Sequence, residues 1–578
     1  MTQVDPITLE LIRHGLESVV DEMALALVRT AYSPNLKSAM DLSTALCDAR
    51  GRLVVQGLTL PVHLGTVPDA MAAVLARYGD RLDPGDVYVL NDPYEGGTHL
   101  PDFVLVRPVF DHVGLLGFVV TVAHHTDVGG RVAGGNACDS TEVYQEGLRV
   151  PPMRLRRGGE LNDEFLRLVE KNVRIPVKVL GDLRAQLAAC HIGANGLLDL
   201  GKRYGRDTLV AAFGELLDYA ERLARAEIAT WPDGRYEFED WLDDDGIDPD
   251  PIPIRVALIV AGDQLTVDFA GSAPQVEGAI NSVMSFTRST TYACVRCLLP
   301  LDIPNNEGYF RAIRVEAPPA TIVNPVLPAA VAARGLTGFR IATAVFGALA
   351  QLAPDRIGAC EVGGDTGITM GGYYRADRRP FVFLEFLNCG WGGRPFADGI
   401  DGCASAVVNF SNYPAEVIEN EYPLRIEEYG FLPDSEGPGQ HRGALGIVRQ
   451  YRFLEERATL QIRSDRTRFP AYGLAGGGPG RRCRNVLNPG TADERVLPGK
   501  TLLWLQEGDV FRHELAGAGG WGPPPERDPA LVLADVRDGK VSAARAREVY
   551  RVALTPDASA VDEAATAELR TGSPSRPP

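Results

Sequence analysis

Histidines and aspartates concentrate in one stretch of the sequence, and their types suit metal binding. Four of the nine histidines fall between residues 91 and 130. His99 and Asp102 form an H-x-x-D pair, and His124 follows a later apolar run. Two imidazoles and one carboxylate suit Mn, Fe or Zn and leave coordination positions open for water or substrate. A divalent ion held there would polarise an acyl or phosphoryl oxygen. We therefore predict a metal site of His99, Asp102 and His124, with ordinary loop hydrogen bonding as the alternative.

The chain between these residues must fold back on itself if they are to meet. Residues 103–110 and 115–122 are rich in Val and other strand formers, and the polar segment 111–114 separates them. This pattern predicts a β-hairpin. A short apolar run at residues 87–90 predicts a buried strand that leads into the polar stretch.

The geometry of the hairpin predicts how the candidate ligands come together. With the turn centred between residues 112 and 113, Phe103 would face Val122 and Asp102 would lie opposite Ala123. The start of the first strand and the end of the second are then neighbours. His99 and Asp102 are therefore expected beside His124, although they lie more than 20 residues from it in sequence.

Other polar side chains nearby could handle protons or bind substrate. We predict His125, Asp127 and Glu146 as catalytic residues that manage protons. Asp92 and Glu142 are predicted to bind substrate. Asp92, His125 and Asp127 could also complete the metal coordination or orient the imidazoles. An ordinary structural role remains the alternative for each of the five.

A nucleotide site of a known type is missing from the sequence. There is no G-x-x-x-x-G-K-[ST] motif. Residues 517–522 match G-x-G-x-x-G literally, but prolines 523–525 follow them where a dinucleotide site needs a helix N-terminus. If ATP is used, this chain offers no conventional site for it.

Composition narrows the class of protein. The net charge of −18 argues against a nucleic-acid partner, because a polyanion would be repelled. The longest mainly apolar run, residues 115–123, is too short to span a bilayer, so no membrane association is predicted. The odd number of scattered cysteines favours reduced thiols and a cytoplasmic location.

The pattern of the whole chain predicts an α+β, multidomain protein of mixed helix and sheet with a β-rich C-terminal half. At 578 residues the chain exceeds one ordinary hydrophobic core. The breaker Trp231-Pro232-Asp233-Gly234 is the best junction. The predicted domains are 1–232 with the metal site, 233–420 as a central α/β domain, 421–527 as a β-rich domain, and 528–578 as a helical cap with a flexible tail.

Two helical regions flank the predicted metal site in sequence. Residues 6–31 show apolar positions near helical spacing, with Asp5 as a plausible N-cap. Residues 162–229 are predicted to be helical in several pieces, broken near Pro176 and Gly193.

Several separated segments resemble the hydantoinase B/oxoprolinase family across almost the whole chain. These segments are DPITLE at 5–10, MDLS at 40–43, PVHLG at 61–65, LNDPY at 90–94, AHHTDVGG at 123–130, YQEGLR at 144–149, DIPNNEG at 302–308 and DR at 465–466. The resemblance implies a hydantoinase B-like fold. It also implies a metal site at His99, Asp102 and His124, the residues that the hairpin brings together.

The resemblance further implies a β-type subunit that works with a separate, hydantoinase A-like subunit. That partner would bind ATP and Mg, and the two chains would form a hetero-oligomer, α2β2 or larger. In such enzymes ATP phosphorylates the carbonyl of a lactam or imide, and the ring is then hydrolysed. Related members are acetone and acetophenone carboxylases.

We therefore expect a metal-binding β subunit of an ATP-dependent cyclic amide hydrolase, of the hydantoin, 5-oxoproline or lactam type. The first alternative is a subunit of an ATP-dependent ketone carboxylase. A ketone would gain a carboxylate and keep its carbons, whereas a lactam would give a ring-opened acid. The second alternative is a non-catalytic scaffold that stabilises the partner.

Overall fold

The computed structural model describes residues 4–57, 59–362, 364 and 366–571. Its helices are α1 Pro6–Thr30, α2 Pro34–Lys37, α3 Val67–Tyr78, α4 Asp163–Asn172, α5 Pro176–Tyr204, α6 Arg206–Ile228, α7 Met284–Arg296, α8 Glu307–Phe310, α9 Arg334–Leu352, α10 Ala415–Glu421, α11 Pro529–Arg537, α12 Ala543–Glu548 and α13 Glu563–Thr571. Its strands are β1 Leu42–Asp48, β2 Leu53–Gln56, β3 Val87–Leu90, β4 Asp102–Phe110, β5 Leu115–His124, β6 Met153–Arg157, β7 Glu160–Leu161, β8 Gly234–Leu242, β9 Ile252–Ala261, β10 Gln264–Asp268, β11 Ile313–Glu316, β12 Thr366–Tyr373, β13 Pro380–Leu387, β14 Leu424–Phe431, β15 Ile447–Phe453, β16 Arg457–Ser464, β17 Arg484–Leu487, β18 Arg495–Leu497, β19 Lys500–Gln506 and β20 Val510–Glu514. This mixture confirms the predicted α+β class with a β-rich C-terminal half.

The strands form four sheets in the described part of the chain. Their orders are β2-β1-β5-β4-β3-β6-β7, β11-β10-β9-β8, β13-β12-β16-β19 and β14-β15-β20-β17-β18. Neighbouring strands are antiparallel, except for β10 and β11, which are parallel. Residues from the first and third sheets line the cavity described below.

Helix α1 forms where the sequence predicts it and packs on α5. Asp5 accepts a hydrogen bond from the Thr8 amide at 3.0 Å, which satisfies one of the unpaired donors of the first turn. Pro6 occupies the first turn, where its missing N–H costs nothing. Ile12 and Leu16 are among the buried residues that anchor the helix to the core.

The helical region after residue 162 divides differently from the prediction. The break near Pro176 is confirmed, but α5 continues through Gly193, so the break predicted there was wrong. A methyl group built at Gly193 would lie 2.3 Å from Met23 Sδ, so this glycine allows α1 and α5 to approach closely. The helix ends instead at Gly205, whose φ of +85° is one that other residues rarely adopt.

Strands β4 and β5 form the predicted hairpin, with a shift of one residue in register. The turn is centred where the sequence placed it. A β-bulge next to the turn adds one residue to β5, and every later pair moves by one position. Asp102 therefore lies opposite His124, whereas the sequence predicted that it would lie opposite Ala123. The predicted register placed Asp102 one position away from His124 on the neighbouring strand. The bulge makes the two residues direct cross-strand partners.

Buried apolar residues form two large clusters in the described chain. The first extends from Val4 to Val408, and the second lies mainly between residues 360 and 518. A small third cluster holds the C-terminal helices together. Because the first cluster continues past residue 232, that position marks a change from helices to strands within one core. The predicted domain boundaries stay a prediction.

Helix α9 is a longer apolar segment than the run that the sequence analysis considered for a membrane span. The 19 residues of α9 are long and apolar enough to cross a membrane, yet 78% of the relevant window is buried inside the protein. Its apolar residues belong to the first core cluster.

Residues 563–571 form α13, a helix within the segment for which a flexible tail was predicted. The end of that tail, residues 572–578, lies outside the described residues.

Candidate metal centre

Asp102 and His124 form the middle of a compact, buried polar cluster. Because β4 and β5 pair these two residues directly, their side chains share one face of the first sheet. His99 Nε2 lies 3.3 Å from Asp102 Oδ1, and the rings of His99 and His124 have centroids 4.9 Å apart. One nitrogen or oxygen of each residue lies within 4.8 Å of the others. The structure thus brings together the three residues for which a metal site was predicted.

Hydrogen bonds on the outer side of each imidazole turn the other nitrogen toward the cluster. His99 Nδ1 donates to the carbonyl oxygen of Ala332 at 2.9 Å. His124 Nδ1 lies 3.1 Å from the Asn35 side-chain nitrogen. His99 Nε2, His124 Nε2 and Asp102 Oδ1 are then buried without a hydrogen-bond partner among the described residues. Such orphaned polar atoms are costly, and one divalent cation would satisfy all three, so the residues fit a metal.

The charge balance of the cluster favours the ligand forms of its members. Burial alone would raise the pKa of Asp102, but His99 and Arg334 outweigh burial and hold that pKa well below its usual range. The Arg334 guanidinium donates to Asp102 Oδ2 at 2.5 Å. Burial lowers the pKa of both His99 and His124, which favours the neutral form of each imidazole. A carboxylate with neutral imidazoles is the state that binds a metal.

A cavity opens at the cluster. Most of its wall is apolar, including the aromatic rings Phe286, Phe339, Phe386 and Phe410. A cavity with one polar end and apolar walls suits a small ring that carries a carbonyl group.

Asp41 belongs to the cluster although the predicted site omitted it. It immediately precedes β1, which pairs with β5, and its carbonyl oxygen accepts a hydrogen bond from the His124 amide at 3.1 Å. Asp41, His124 and Asp102 therefore form a row across three neighbouring strands. Burial and the charge of Asp102 raise the pKa of Asp41 well above its usual value, and a bound cation would relieve that repulsion. The MDLS segment, which contains Asp41, was the available signal, because the strand that begins in it pairs with β5 of the hairpin.

His63 also lines the cavity and was missed in the same way. Its Nδ1 lies 3.1 Å from Ser43 Oγ, and its Nε2 lies 3.7 Å from Asp102 Oδ2. Burial lowers the pKa of His63 to about 4. It lies in the PVHLG segment, so that segment was the available signal. Arg334 had no local signal, because it reaches the cluster from the start of α9.

His125 and Asp127 face away from the cavity. Side chains of successive residues in an extended chain point to opposite faces, so His125 turns from the side that His124 occupies. Its Nε2 pairs with Gln186 Oε1 at 3.1 Å. Asp127 accepts hydrogen bonds from the Gly134 amide at 2.9 Å and from Arg174 at 3.1 Å. Their geometry supports a structural role, contrary to the proton transfer predicted for them.

Glu146 stands behind the cluster. Its Oε1 accepts hydrogen bonds from the amides of Val331 at 2.6 Å and Ala332 at 2.8 Å. The carbonyl of the same Ala332 holds His99. Burial raises the pKa of Glu146 to about 8. Its contacts make it a positioning residue for the loop that orients His99.

The two residues predicted to bind substrate do not line the cavity. Asp92 is buried and forms an ion pair with Arg149 at 2.8 Å, and its other oxygen accepts from the Tyr94 amide. Glu142 is exposed at the start of a short turn. The structure brings neither of them to the cluster of His99, Asp102 and His124.

Comparison with known proteins places the chain among related sequences and structures. The family model described as hydantoinase B/oxoprolinase matches residues 5–524. The B-type subunit of a putative D-/L-hydantoinase from a Pseudomonas species is 33% identical over 99% of this chain and 98% of its own. The crystal structure of the ATP-dependent caprolactamase from Pseudomonas jessenii has 32% identity and a TM-score of 0.91, covering 99% of this chain and 100% of that chain. An acetone carboxylase structure has a TM-score of 0.90 over 98% of this chain and 82% of its own, but its 19% identity shows a shared fold alone.

Proposed function

The chain belongs to the hydantoinase B/oxoprolinase family, and on this premise we propose that it is the metal-binding β subunit of an ATP-dependent cyclic amide hydrolase. The observation that carries the proposal is the buried triad of His99, Asp102 and His124 at the polar end of an apolar cavity. The substrate would be a hydantoin, 5-oxoproline or another lactam.

The residues of the cavity divide the work of binding and proton transfer. His99, Asp102 and His124 would hold a divalent ion, Mn, Zn or Fe, which supplies Lewis-acid polarisation of a substrate oxygen. Arg334 keeps Asp102 ionised. His63, neutral and lining the cavity, would accept or return a proton at Nε2. The aromatic walls bind the ring and exclude water.

ATP would act through a partner. An unstrained ring amide opens slowly unaided, so the reaction needs activation, and this sequence has no conventional nucleotide motif. We propose a hydantoinase A-like subunit that binds ATP and Mg and forms a hetero-oligomer with this chain, α2β2 or larger. The hydantoinase relative, which is named as one subunit of its enzyme, supports such a partner.

The ketone carboxylase alternative has weaker support. The acetone carboxylase likeness shows only the fold, whereas the caprolactamase likeness combines fold with 32% identity. A substrate panel with ATP and bicarbonate varied independently separates the two. We expect ring-opened acid that depends on ATP and not on bicarbonate. A carboxylated ketone that requires bicarbonate would establish the alternative instead.

Replacement of His124 tests the metal site. We expect His124→Ala to remain folded, to lose at least about tenfold of the bound divalent metal, and to abolish turnover of the complex, because one of three ligands is gone. Metal analysis of the purified protein and a turnover assay measure both effects.

His191→Ala is the matched control, since His191 is exposed on α5 and its hydrogen bonds among the described residues are with Arg107 and Asn195. It should keep both metal and activity. A wild-type protein without divalent metal, together with an active His124→Ala complex, would leave the scaffold alternative as the correct one.

A further inference from the structure

All but one of the buried arginines in the described chain form an ion pair with a carboxylate. Seven arginines are buried, and six of them contact a carboxylate. The pairs are Arg334–Asp102, Arg340–Asp465, Arg442–Asp401, Arg449–Glu385, Arg466–Asp240 and Arg527–Asp535. The seventh, Arg463, forms an ion pair with no described residue and lines the cavity of the metal centre. A buried charge without a counter-charge is costly, so its retention indicates a ligand.

The protein holds the Arg463 guanidinium in place without neutralising it. Its Nη2 donates to Thr369 Oγ1 at 3.2 Å, and its Nη1 reaches Asn136 at 3.1 Å when that amide turns its oxygen toward it. Its Nε is buried and has no hydrogen-bond partner among the described residues. Of the five N–H groups of an arginine, only two are thus engaged.

The electrostatic surroundings of Arg463 leave its positive charge in place. Burial lowers its pKa to about 10, so it remains protonated at neutral pH. The group that acts on it most is the Cys138 thiol, whose own pKa burial raises to about 12, which keeps the thiol neutral. Arg334, the other arginine of the cavity, is already neutralised by Asp102.

Arg463 lines the cavity from a different sheet than the candidate metal ligands. It lies on β16 of the third sheet, whereas Asp102 and His124 lie on the first sheet. The ring of Phe386 lies near both, 5.5 Å from the Arg463 guanidinium carbon and 5.5 Å from the His124 ring. The cavity wall therefore carries the candidate metal ligands on one sheet and an uncompensated cation on another.

We propose that Arg463 binds an oxyanion of the reacting molecule while its carbonyl carbon lies at the triad. The oxyanion is a carboxylate carried by the ring or the phosphoryl group added on activation. This inference rests on the proposed function for the nature of the molecule. The binding site itself rests on the uncompensated guanidinium and its open N–H groups.

Binding of three probes to the purified full chain tests the proposal by calorimetry. The probes are 5-oxoproline, 2-pyrrolidinone, which has the same ring without the carboxylate, and inorganic phosphate. We expect Arg463→Gln to weaken binding of 5-oxoproline or phosphate by roughly tenfold to a hundredfold, as for loss of a charged hydrogen bond. Binding of 2-pyrrolidinone should not change. The titrations are run with and without EDTA, since a metal at the triad could itself bind anions.

Two further variants separate anion binding from folding. Gly367→Ala places a methyl group 2.5 Å from Arg463 Nη2 and displaces the guanidinium while keeping its charge, so it should weaken the same probes. Arg457→Gln is the matched control, because Arg457 lies on the same strand and face but is exposed, stacked on Trp504 at 3.8 Å. It should bind like the wild type.

Each outcome decides one point. Arg463-dependent binding of 5-oxoproline identifies a ring carboxylate, and Arg463-dependent binding of phosphate alone identifies the phosphoryl group. Unchanged binding of all probes by folded Arg463→Gln overturns the proposal. No ATP or turnover is involved, so a chain that binds these anions but hydrolyses no cyclic amide would refute the proposed function and leave the anion site standing.

Discussion

Arg334 shows how one side chain sets the state of the candidate metal centre. Its guanidinium contacts Asp102 at 2.5 Å and lies over the Phe286 ring at 3.7 Å, so it is fixed on both sides. A carboxylate buried this deeply would otherwise favour its protonated form. The arginine therefore keeps Asp102 in the ionised form that the proposed metal site requires.

Glu146 gives a prediction about pH at the scale of one residue. Its pKa is raised from 4.5 to about 8 in the folded protein, so the folded state holds one more proton than the unfolded state between these values. The stability it contributes is fully present below pH 4.5 and is lost as the pH rises through 8, at about 1.4 kcal/mol per pH unit. Glu146→Gln should remove this slope. Urea unfolding between pH 5 and 8 measures it.

Glu142→Gln is the control for that experiment. Glu142 is exposed and close in sequence, so its variant should follow the wild-type dependence on pH. If Glu146→Gln and the wild type lose stability in parallel as the pH rises, Glu146 does not carry the extra proton.

At the scale of elements, the β4–β5 hairpin owes the pairing of Asp102 with His124 to a local irregularity. Without the bulge beside the turn, Asp102 would pair with Ala123, and His124 would lie on the opposite face. The extra residue on β5 restores the pairing of Asp102 with His124. The proposed ligand set therefore depends on the register of the hairpin as well as on the residues present.

Glycines on two neighbouring helices make a matched prediction. A methyl group at Gly193 of α5 would lie 2.3 Å from Met23 Sδ, so Gly193→Ala should destabilise the protein by about 1–3 kcal/mol. At Gly214 of α6 nothing lies within 4 Å, so Gly214→Ala should stabilise it by up to about 1 kcal/mol through helix propensity. Urea midpoints of both variants against the wild type measure the opposite signs.

The two glycine variants also test whether close packing of α1 on α5 is the reason for a glycine at position 193. If Gly193→Ala were as stable as Gly214→Ala, close approach of α1 and α5 would not be the reason for that glycine. The expected loss at Gly193 instead requires that Met23 and its neighbours cannot move aside.

The glycine run at 517–522 belongs to backbone packing. A methyl group at Gly517 would lie 1.7 Å from the Ser435 carbonyl oxygen, and one at Gly519 would lie 1.9 Å from that of Tyr472. These glycines let chain segments pass in direct contact. Only a three-residue 3-10 helix, Pro524–Glu526, follows them directly, and α11 begins at Pro529, seven residues after the run. The structure agrees with the interpretation that this run is not a dinucleotide fingerprint.

At the scale of the whole molecule, buried ion pairs join the two large core clusters. Arg340 on α9 contacts Asp465 at 2.7 Å, and Lys500 on β19 contacts the same carboxylate at 3.1 Å. Arg466 contacts Asp240 of β8 at 3.0 Å. The first cluster includes α9 and β8, and the second includes β16 and β19. These pairs therefore fix the third sheet, with Arg463, against the body that carries the triad.

Asp465→Asn tests this connection. It keeps the shape of the side chain but leaves Arg340 and Lys500 without a shared counter-charge, and we expect a loss of about 3–5 kcal/mol in the free energy of unfolding. Burial would raise the pKa of Asp465, but Lys500 and Arg340 outweigh it and lower that pKa. The contribution of Asp465 is thus present above the usual aspartate pKa and is lost as the pH falls below it. Urea unfolding at pH 7 measures the loss.

An exposed ion pair provides the control. Asp377 contacts Arg379 at 2.7 Å on the surface, and Asp377→Asn should leave the urea midpoint unchanged. A similar midpoint for both variants would mean that the buried network does not hold the two clusters together.

Local pattern was enough to predict the elements around the site. Alternating apolar residues and a polar turn predicted the β4–β5 hairpin, and a cap residue before Pro6 predicted the start of α1. The hairpin in turn brought His99, Asp102 and His124 together. These features depend on residues near one another in sequence, where steric and hydrogen-bonding preferences decide the conformation.

Only the tertiary structure decided what surrounds that triad. Asp41, His63, Arg334 and Arg463 reach one cavity from four separate segments, and no local preference encodes such a meeting. The tertiary structure also turns His125 toward Gln186 and away from the cavity that its neighbour His124 lines. The sequence by itself determined which residues could bind a metal. The packing of the first sheet, α9 and the third sheet determined their charge state, their partners and the place of Arg463 in the cavity wall, because burial and long-range contacts set those properties.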